Sequence, residues 1–325
     1  MPYNAAFCFA FAFMLFFRGL HNIRTFETGC VLTIGNFDGV HLGHKRVLDK
    51  LKSKGRTLGL PTVAMIFEPQ PKELFDPKGA PARISSLAEK IELLQQEGLD
   101  ALVCLAFNER LRGLSAEQFV RQVLVDGLNV KALIVGDDFR FGCDRSGDFE
   151  YLMASGQRLG FSVEDTRTVE QEGERVSSTA IREALANGEL ERVESLLGRP
   201  FSIAGRVAHG QKLGRTLGVP TANVILKRIK TPLSGVYAVQ VHTQQGIFNG
   251  VANIGMRPTV GALKPILEPH LFDFSGDLYG QRIKVVFKKK MRDEKRFNGI
   301  EELKAAIYHD IEVTKAFFKD IQTSK

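Results

Sequence analysis

The stretch 31–46, VLTIGNFDGVHLGHKR, is the part of this chain that most restricts how it folds. An apolar run at 31–34 is typical of a buried strand, and the chain then passes through Gly35 and Gly39 into a basic segment that predicts a helix start at His44. A strand that enters a helix through such a turn directs unpaired backbone N–H groups and the positive helix end at one place. Phosphate suits that place, so the stretch predicts a nucleotide site.

Two histidines flank this turn. Gly43 lies between His41 and His44 and leaves room for a ligand to approach the backbone closely. As a metal pair the histidines lack a third or fourth ligand at conventional spacing, and purely structural histidines are the other alternative. The turn residues that we expect to face the nucleotide are Gly35, Asn36, Phe37, Asp38 and Gly39.

Strand-like and helix-like segments alternate through the first half of the chain. Apolar runs at 61–67, 101–107 and 131–135 predict strands, and another strand is expected near Phe161. Alternation of this kind predicts a parallel sheet covered by helices. Ligands of such sheets bind at the carboxyl ends of the strands.

The helices between these strands have recognisable ends. Ser86 with Glu89, and Ser115 with Gln118, have the spacing of capping boxes, in which two side chains satisfy backbone N–H groups at a helix start. The helix that begins at 44 is expected to stop at Gly55, because glycine commonly ends a helix.

Charged residues follow the predicted strands. Asp38 closes the first turn, and Asp137 and Asp138 follow the run at 131–135. At the carboxyl edge of a parallel sheet these carboxylates would meet a ligand, and ordinary turn residues are the alternative.

The motif SSTAIR at 177–182 predicts a hydroxyl-rich helix start. The hydroxyls of Ser178 and Thr179 and the main-chain N–H groups there would hold phosphate oxygens. Arg182, one turn inside the helix, offers a planar fork of donors. A simple helix cap is the alternative.

The second half of the chain has a different sequence pattern. Short strands separated by glycine, proline and asparagine begin at Phe201 and predict a small antiparallel barrel, followed by a helix over 299–318. We therefore expect a first domain at 14–186, a linker helix at 187–197 and a second domain at 198–325.

Three features of the second half are candidates for chemistry. Thr221 and Asn223, two apart in an extended segment, would present a hydroxyl and an amide oxygen on one face, which suits Mg²⁺ beside a nucleotide. Glu268, in a mostly apolar strand, is able to accept a proton from an attacking hydroxyl. A turn after Pro220 and a solvent-facing carboxylate are the respective alternatives. The glycines that would let main-chain N–H groups approach phosphate are Gly205, Gly210 and Gly214.

The composition of the chain restricts its possible partners and cellular compartment. The net charge of +7 favours anionic partners, and the four cysteines form no C-x-x-C pair, which fits a reducing, cytoplasmic compartment. The apolar run at 5–17 is shorter than the ~20 residues that a membrane helix needs and lacks the basic start of a secretory signal. We expect translation to begin at Met14, with residues 1–13 not belonging to the protein.

Together these motifs resemble those of the bacterial riboflavin kinase/FMN adenylyltransferases, the bifunctional FAD synthetases. The likeness covers nearly the whole chain from Met14 on. The motifs, in the order of that family, are TIGNFDGVHLGH, FEPQP, VGDDFRFG, SSTAIR, GRTLGVPTAN, NIGMRPT, ExHxxDF from Glu268 and DLYG from Asp277. The resemblance implies a Rossmann-like nucleotidyltransferase domain followed by a riboflavin kinase β-barrel with a terminal helix.

The resemblance implies that the second domain transfers the γ-phosphate of ATP to the terminal ribityl hydroxyl of riboflavin, giving FMN. Glu268 would be the base, and Thr221 and Asn223 would hold Mg²⁺ and phosphate. Arg292 would contact the flavin, and the three glycines at 205, 210 and 214 would contact ATP.

The resemblance implies that the first domain forms FAD. The phosphate of FMN would attack the α-phosphate of a second ATP and release pyrophosphate. His41 and His44 would stabilise the charge at that phosphorus, while Arg182 and Ser178, with Thr179, would hold phosphates. Asp138 would face flavin or ATP.

Pro269 departs from the pattern of that family, which commonly has another residue between Glu268 and His270. Because proline removes a ladder donor, we expect this strand to lie at a sheet edge or to be bulged.

Three other interpretations compete with this one. Adenylyltransferases of the pantetheine or nicotinate pathways share the HxGH motif but lack the barrel. A nucleic-acid-binding protein would expose aromatics along a basic stripe, whereas the aromatics here alternate inside apolar strands. A flavin-sequestering regulator stays open as an added role. We expect small-molecule substrates, no nucleic-acid or membrane partner, and a monomer or weak homo-oligomer.

Overall fold

A computed structural model describes residues 14–22, 26–136, 138–166, 170–171, 173–210, 217–259 and 262–323. Their internal contacts divide them into two compact units. The first unit comprises the described residues up to Ala80 and from Lys90 to Thr166, and the second comprises Pro81–Glu89 and the described residues from Glu170 onward. The predictions made for residues 1–13, Asp137 and Gly214 lie outside the described residues.

The first unit is built on a parallel six-stranded sheet with the order β1-β4-β3-β2-β5-β6. This confirms the parallel sheet predicted from the alternation of strands and helices. The strands are β1 Leu15–Arg18, β2 Cys30–Ile34, β3 Thr62–Glu68, β4 Ala101–Ala106, β5 Val130–Gly136 and β6 Ser162–Thr166.

The strand order reverses between β2 and β5. From β2 the chain adds β3 and β4 on one side of the sheet, and then returns to place β5 on the other side of β2. In open parallel sheets the crevice outside such a switch point is where ligands bind. The turn after β2 and the turn after β5 both lie at this edge.

Helices connect these strands: α1 Leu42–Leu58, α2 Pro71–Phe75, α3 Leu87–Gln96, α4 Glu109–Arg112, α5 Ala116–Phe119 and α6 Phe149–Leu159. A π-helical stretch Val120–Val125 and 3₁₀ turns Leu20–Asn22 and Cys143–Arg145 complete them. The capping box of Ser115 and Gln118 and that of Ser86 and Glu89 are both present, which confirms these two helix starts.

The predicted limits of α1 are wrong at both ends. The helix begins at Leu42, with His41 as its N-cap, and it runs through Gly55 to end at Gly59, which has a left-handed φ of 64°. Gly55 is a packing residue: a Cβ there would lie 2.5 Å from Thr62 Cγ2 and 3.0 Å from the Leu60 carbonyl oxygen. The glycine therefore allows α1 to approach β3.

The second unit contains an antiparallel six-stranded sheet with the order β10-β9-β14-β11-β12-β13. A backbone hydrogen bond of 2.8 Å from Ala222, just before β10, to Pro269 of β13 joins the two ends of that order, so the sheet curls into a nearly closed barrel as predicted. The barrel strands are β9 Ser202–Ala208, β10 Asn223–Val224, β11 Gly235–Thr243, β12 Gly246–Thr259, β13 Ala262–Leu271 and β14 Arg282–Arg292.

Pro269 lies on β13, the last strand of the sheet order, and this confirms the predicted edge position. In a strand the N–H and C=O of one residue point to the same side. Because the carbonyl of Pro269 accepts from Ala222, the missing N–H faces away from β12 and no hydrogen bond to β12 is lost.

The remaining elements of the second unit are a short hairpin and three helices: β7 Glu170–Gln171, β8 Glu174–Arg175, α7 Ser178–Asn187, α8 Leu190–Leu197 and α9 Ile300–Thr323. Apolar residues of α9, including Ile311 and Phe318, pack with Val236, Val251 and Phe272 of the barrel. By packing, α7 and Pro81–Glu89 belong with the barrel rather than with the parallel sheet. Within the described helices none is long and apolar enough to cross a membrane.

We predict that Gly55→Ala destabilises the protein although alanine favours helices. The gain in helix propensity is at most ~1 kcal/mol, whereas overpacking against Thr62 and the backbone of Leu60 costs about 1–3 kcal/mol. Urea unfolding should show a lower midpoint for this variant. Ser53→Ala, at an exposed position of the same helix, is the control and should be nearly neutral. A midpoint for Gly55→Ala above that of the wild type would contradict the packing role.

Candidate active sites

The turn between β2 and α1 ends in a helix cap made of two histidines. His41 Nδ1 accepts from the backbone N–H of His44, and His44 Nδ1 accepts from the backbone N–H of His41, each at 3.3 Å. The two rings stack with their centroids 3.6 Å apart. A reciprocal cap of this kind usually needs a hydroxyl and a carboxylate or amide, and here two imidazoles supply both halves.

The cap fixes the protonation of both rings. A ring nitrogen that accepts a backbone N–H carries no proton, so in the neutral imidazole the proton is on Nε2. Each histidine therefore offers an Nε2–H donor beside the positive end of a 17-residue helix. Two such donors and the helix N-terminus suit an anionic ligand.

The turn itself has an unusual backbone. Phe37 has a φ of 46°, Gly39 of 81° and Val40 of 42°. A positive φ is rare for a β-branched residue such as Val40, and such strain persists only where the surroundings enforce it. The side chains of Phe37, Asp38 and Val40 are buried, so packing holds the turn in this shape. Strained, buried turns of this kind cluster at functional sites.

The other predicted residues of the first unit lie at the same sheet edge. Gly35 extends the β2–β3 ladder through a hydrogen bond of 3.1 Å to Met65, and Asn36 follows it as an exposed residue. Asp138 is exposed in the turn after β5, the strand that neighbours β2. The switch point thus brings the turn at 35–39 and Asp138 to one edge.

The hydroxyl-rich helix start belongs to the second unit. Ser177 is the N-cap of α7, and its hydroxyl accepts from the backbone N–H of Ala180 at 3.1 Å. Ser178 is half-buried and Thr179 is exposed. Arg182 donates from Nε to the Ala82 carbonyl at 2.7 Å and from Nη1 to the Ser178 carbonyl at 3.2 Å. These two bonds orient its guanidinium.

A cavity of about 320 Å³ lies in the second unit. It brings together Thr221, Asn223, Glu268 and Arg292, which the sequence predicted for one site, as well as Gly210. Glu268 on β13 lies directly opposite Asn253 on β12, so their side chains leave the same face of the sheet.

Two hydrogen bonds join the segment before β10 to β13. Ala222 donates to the Pro269 carbonyl at 2.8 Å, and the His270 ring bonds through Nδ1 to the Pro220 carbonyl, also at 2.8 Å. Thr221 lies between Pro220 and Ala222, and Glu268 immediately precedes Pro269. The closure of the barrel therefore brings Thr221 and Asn223 to Glu268.

The rest of the cavity combines an apolar wall with an ion pair. Arg292 makes a forked pair with the buried carboxylate of Asp310, Nε to Oδ1 at 2.9 Å and Nη2 to Oδ2 at 2.8 Å, and its guanidinium lies 5.7 Å from the Phe297 ring centroid. The pair ties β14 to α9. The apolar lining includes Leu217, Val219, Val236, Val251, Phe297, Leu303 and Ile307. A cavity of this size and mixed character suits a small amphipathic ligand.

The glycines predicted to contact ATP differ in position. Gly210 lines the cavity, and a Cβ there would lie 3.0 Å from Asn223 Nδ2. Gly205 is not among the described residues of the lining. It lies in β9, where a Cβ would be 2.5 Å from the Ile225 carbonyl oxygen, so its packing alone explains the glycine. Its contact with ATP stays a prediction.

Several lining residues were missed by sequence reasoning. Asn253 is polar in an otherwise apolar strand, but only the β12–β13 register shows that it faces Glu268. Glu294 lies above Gly255, and burial raises the pKa of its carboxyl. Tyr279, in the DLYG motif, contacts the His209 ring in a tilted arrangement with a centroid separation of 3.9 Å. The sequence shows that Asn253 is a polar residue in an apolar strand, but only the register of the strands shows which residue it faces.

A parallel sheet with a histidine-capped turn at its switch point, and a barrel with a carboxylate in its cavity, are features that suit a transferase of phosphate-containing groups. Family models for FAD synthetase and riboflavin kinase match residues 23–180 and 197–318, respectively. The chain belongs to the bifunctional riboflavin kinase/FMN adenylyltransferase family.

Relatives with that name match almost end to end. One from Pseudomonas fluorescens is 56% identical over 300 residues, covering 92% of this chain and 96% of the relative. One from Escherichia coli K12 is 50% identical over 307 residues, covering 94% and 98%. A crystal structure described as a macrolide-efflux protein from Streptococcus pneumoniae has a TM-score of 0.77 at 31% identity and covers 93% of this chain and 99% of its own.

We predict that His41 and His44 are both Nε2–H tautomers when neutral, because each Nδ1 accepts a backbone N–H. Long-range ¹H–¹⁵N NMR spectra of labelled protein should show the proton on Nε2 in both rings. Single histidine substitutions would assign the signals, and the exposed His21 provides a reference ring. A protonated Nδ1 in either ring of the neutral form would contradict the cap.

Proposed function

We propose that the second unit makes FMN from riboflavin and ATP in its cavity. The observation that carries this proposal is the convergence of Glu268, Asn253, Thr221 and Asn223 in a cavity that also has an apolar wall. The apolar wall suits the flavin ring, and the polar residues suit a hydroxylated chain and phosphates.

Glu268 would act as the general base. Its carboxylate would accept the proton of the terminal ribityl hydroxyl as that oxygen attacks the γ-phosphorus of ATP and ADP leaves. Asn253, opposite Glu268, would position the hydroxyl or the phosphate through its amide. Arg292 would contact the flavin from the wall that its pair with Asp310 holds in place.

Mg²⁺ fits the polar end of this site. The Thr221 hydroxyl and the Asn223 amide oxygen are neutral oxygen donors, and Mg²⁺ is commonly held by one or two protein side chains together with substrate phosphates. When bound, Mg²⁺ would neutralise phosphate charge. Gly210 would leave room for phosphate beside Asn223, and Gly205 and Gly214 remain predicted ATP contacts.

We propose that the first unit, at the histidine-capped turn, binds a second ATP. A phosphate oxygen of FMN would attack the α-phosphorus, and the bond to pyrophosphate would break. The Nε2–H groups of His41 and His44 would donate to oxygens of that phosphate as negative charge grows on them. The turn at 35–39 would contact ATP, and Asp138 would face the flavin or ATP, because both lie at the switch point.

The remaining assignments are proposals of the same kind. Arg182, Ser178 and Thr179 would hold phosphates during FAD formation. We place the adenylyltransferase half at 14–186, the linker helix at 187–197 and the kinase half at 198–325. We also propose a cytoplasmic protein that is a monomer or weak homo-oligomer and binds no nucleic acid. Its cysteines at 30, 104 and 143 are free thiols, which supports a reducing compartment.

Incubation with riboflavin, ATP and Mg²⁺, with the flavins separated by chromatography, tests the kinase assignment. Glu268→Gln should lower FMN formation by about 10²–10⁴-fold, because the amide cannot accept the proton. The same variant should convert supplied FMN to FAD at the wild-type rate. Glu109→Gln, an exposed glutamate of the first unit, is the control. Full FMN formation by a folded Glu268→Gln variant would refute the assignment.

The adenylyltransferase assignment predicts the opposite pattern for His44→Ala. Loss of one donor to the phosphate should lower FAD formation by about 10²–10³-fold, so that FMN accumulates at an unchanged rate. His21→Ala, at an exposed histidine of the same unit, should behave as wild type. If folded His44→Ala lost both activities, the division of roles between the two units would be wrong.

A further inference from the structure

A nine-residue segment of the first half, Pro81–Glu89, packs into the unit that contains the barrel. Four of its consecutive residues, 83–86, are buried. One end of the segment meets Arg182, whose Nε donates to the Ala82 carbonyl at 2.7 Å. The other end is Glu89. The segment therefore connects Arg182 with the residues that bond to Glu89.

Glu89 is held by the barrel. Its carboxylate accepts three hydrogen bonds: from the backbone N–H of Ser86 at 2.7 Å, from the backbone N–H of Ala204 in β9 at 2.8 Å, and from Arg228 Nη2 at 2.5 Å. Only 1% of the Arg228 side chain is exposed, and 10% of that of Glu89. Ala204 and Arg228 lie in the part of the chain that matches riboflavin kinase.

Stability alone does not explain the ion pair between Arg228 and Glu89. Desolvating two charges offsets most of their attraction, and well-packed apolar residues often do as well. Moreover, Arg228 Nη1 is buried with no hydrogen-bond partner within the described part of the chain. A buried donor left in that state costs free energy. What the pair does provide is a fixed direction, because a guanidinium and a carboxylate accept only a narrow range of geometries.

We propose that Arg228 and Glu89 are positioning residues for FAD formation. They fix the segment Pro81–Glu89, whose Ala82 carbonyl orients the guanidinium of Arg182 toward a phosphate of the substrate. A residue in the kinase half of the sequence thus serves the other reaction. The inference rests on the proposed role of Arg182 in phosphate binding.

The test compares both reactions in Arg228→Lys, Arg228→Met and Glu89→Gln, at a temperature where circular dichroism shows each variant to be folded. We expect kcat/KM for conversion of FMN to FAD to fall on the order of 10–100-fold in Arg228→Met and Glu89→Gln. The fall should be in KM for ATP or FMN more than in kcat. FMN formation from riboflavin should change less than twofold. Arg228→Lys, which keeps the charge but not the fork, should be intermediate.

Arg121→Met, which breaks an exposed arginine–glutamate pair with Glu117, is the matched control and should leave both reactions unchanged. Arg182→Lys is assayed in parallel. If Arg182→Lys forms FAD normally, the proposed phosphate role of Arg182 fails. If Arg182→Lys is impaired while folded Arg228→Met and Glu89→Gln are not, only the positioning inference fails.

Two further outcomes would also overturn the inference. Equal losses of both reactions in Arg228→Met, in proportion to the folded fraction, would mean that the pair is merely structural. If Arg228→Met and Glu89→Gln do not fold, Arg228→Lys decides: wild-type KM values for FMN and ATP in that variant would exclude a positioning role.

Discussion

The closure of the barrel at Pro269 is the contact on which the cavity of the second unit depends. A six-stranded antiparallel sheet with free edges would leave Glu268 on its last strand and Asn223 on its first. The hydrogen bond from Ala222 to Pro269 brings these edges together, and the bond of His270 to Pro220 is a second tie at the same place. Proline is suited to this position because its carbonyl is used and its missing N–H is not needed by β12. A departure from the family pattern is thus compatible with the site.

The parallel sheet of the first unit forms its candidate site without such a closure. That candidate site follows from topology, since the reversal of strand order at β2 and β5 leaves a crevice at the edge of the sheet. The shape of the turn between β2 and α1, which lies at this edge of the sheet, needs a separate explanation. Buried Phe37 and Val40 hold a left-handed backbone, and the chain then enters α1 through a cap that uses both imidazoles. The cap gives each histidine a defined tautomer. The same hydrogen bonds that begin the helix therefore also fix the position of the two Nε2–H donors.

Most of the fold was predictable because local patterns agree with it. The alternation of strands and helices, two capping boxes and the glycine-rich texture after 198 each predicted an element that the structure contains. Gly55 shows where this reasoning fails. A glycine in a helical pattern reads as a stop, but tertiary packing against Thr62 was the reason for it. In the cavity, Glu268, Thr221 and Asn223 were predictable from chemistry and resemblance, while Asn253 and Asp310 were not, because register and helix docking place them there.

Packing units and family matches divide this chain differently. The FAD synthetase match ends at 180 and includes Pro81–Glu89 and the start of α7, yet these segments pack with the barrel. Arg182 donates to the carbonyls of Ala82 and Ser178 in the FAD synthetase match, whereas Glu89 accepts from Ala204 and Arg228 in the riboflavin kinase match. These bonds of the buried Glu89 carboxylate give the segment Pro81–Glu89 a rigid support. The packing unit that contains the riboflavin kinase match therefore also supports a segment of the FAD synthetase match.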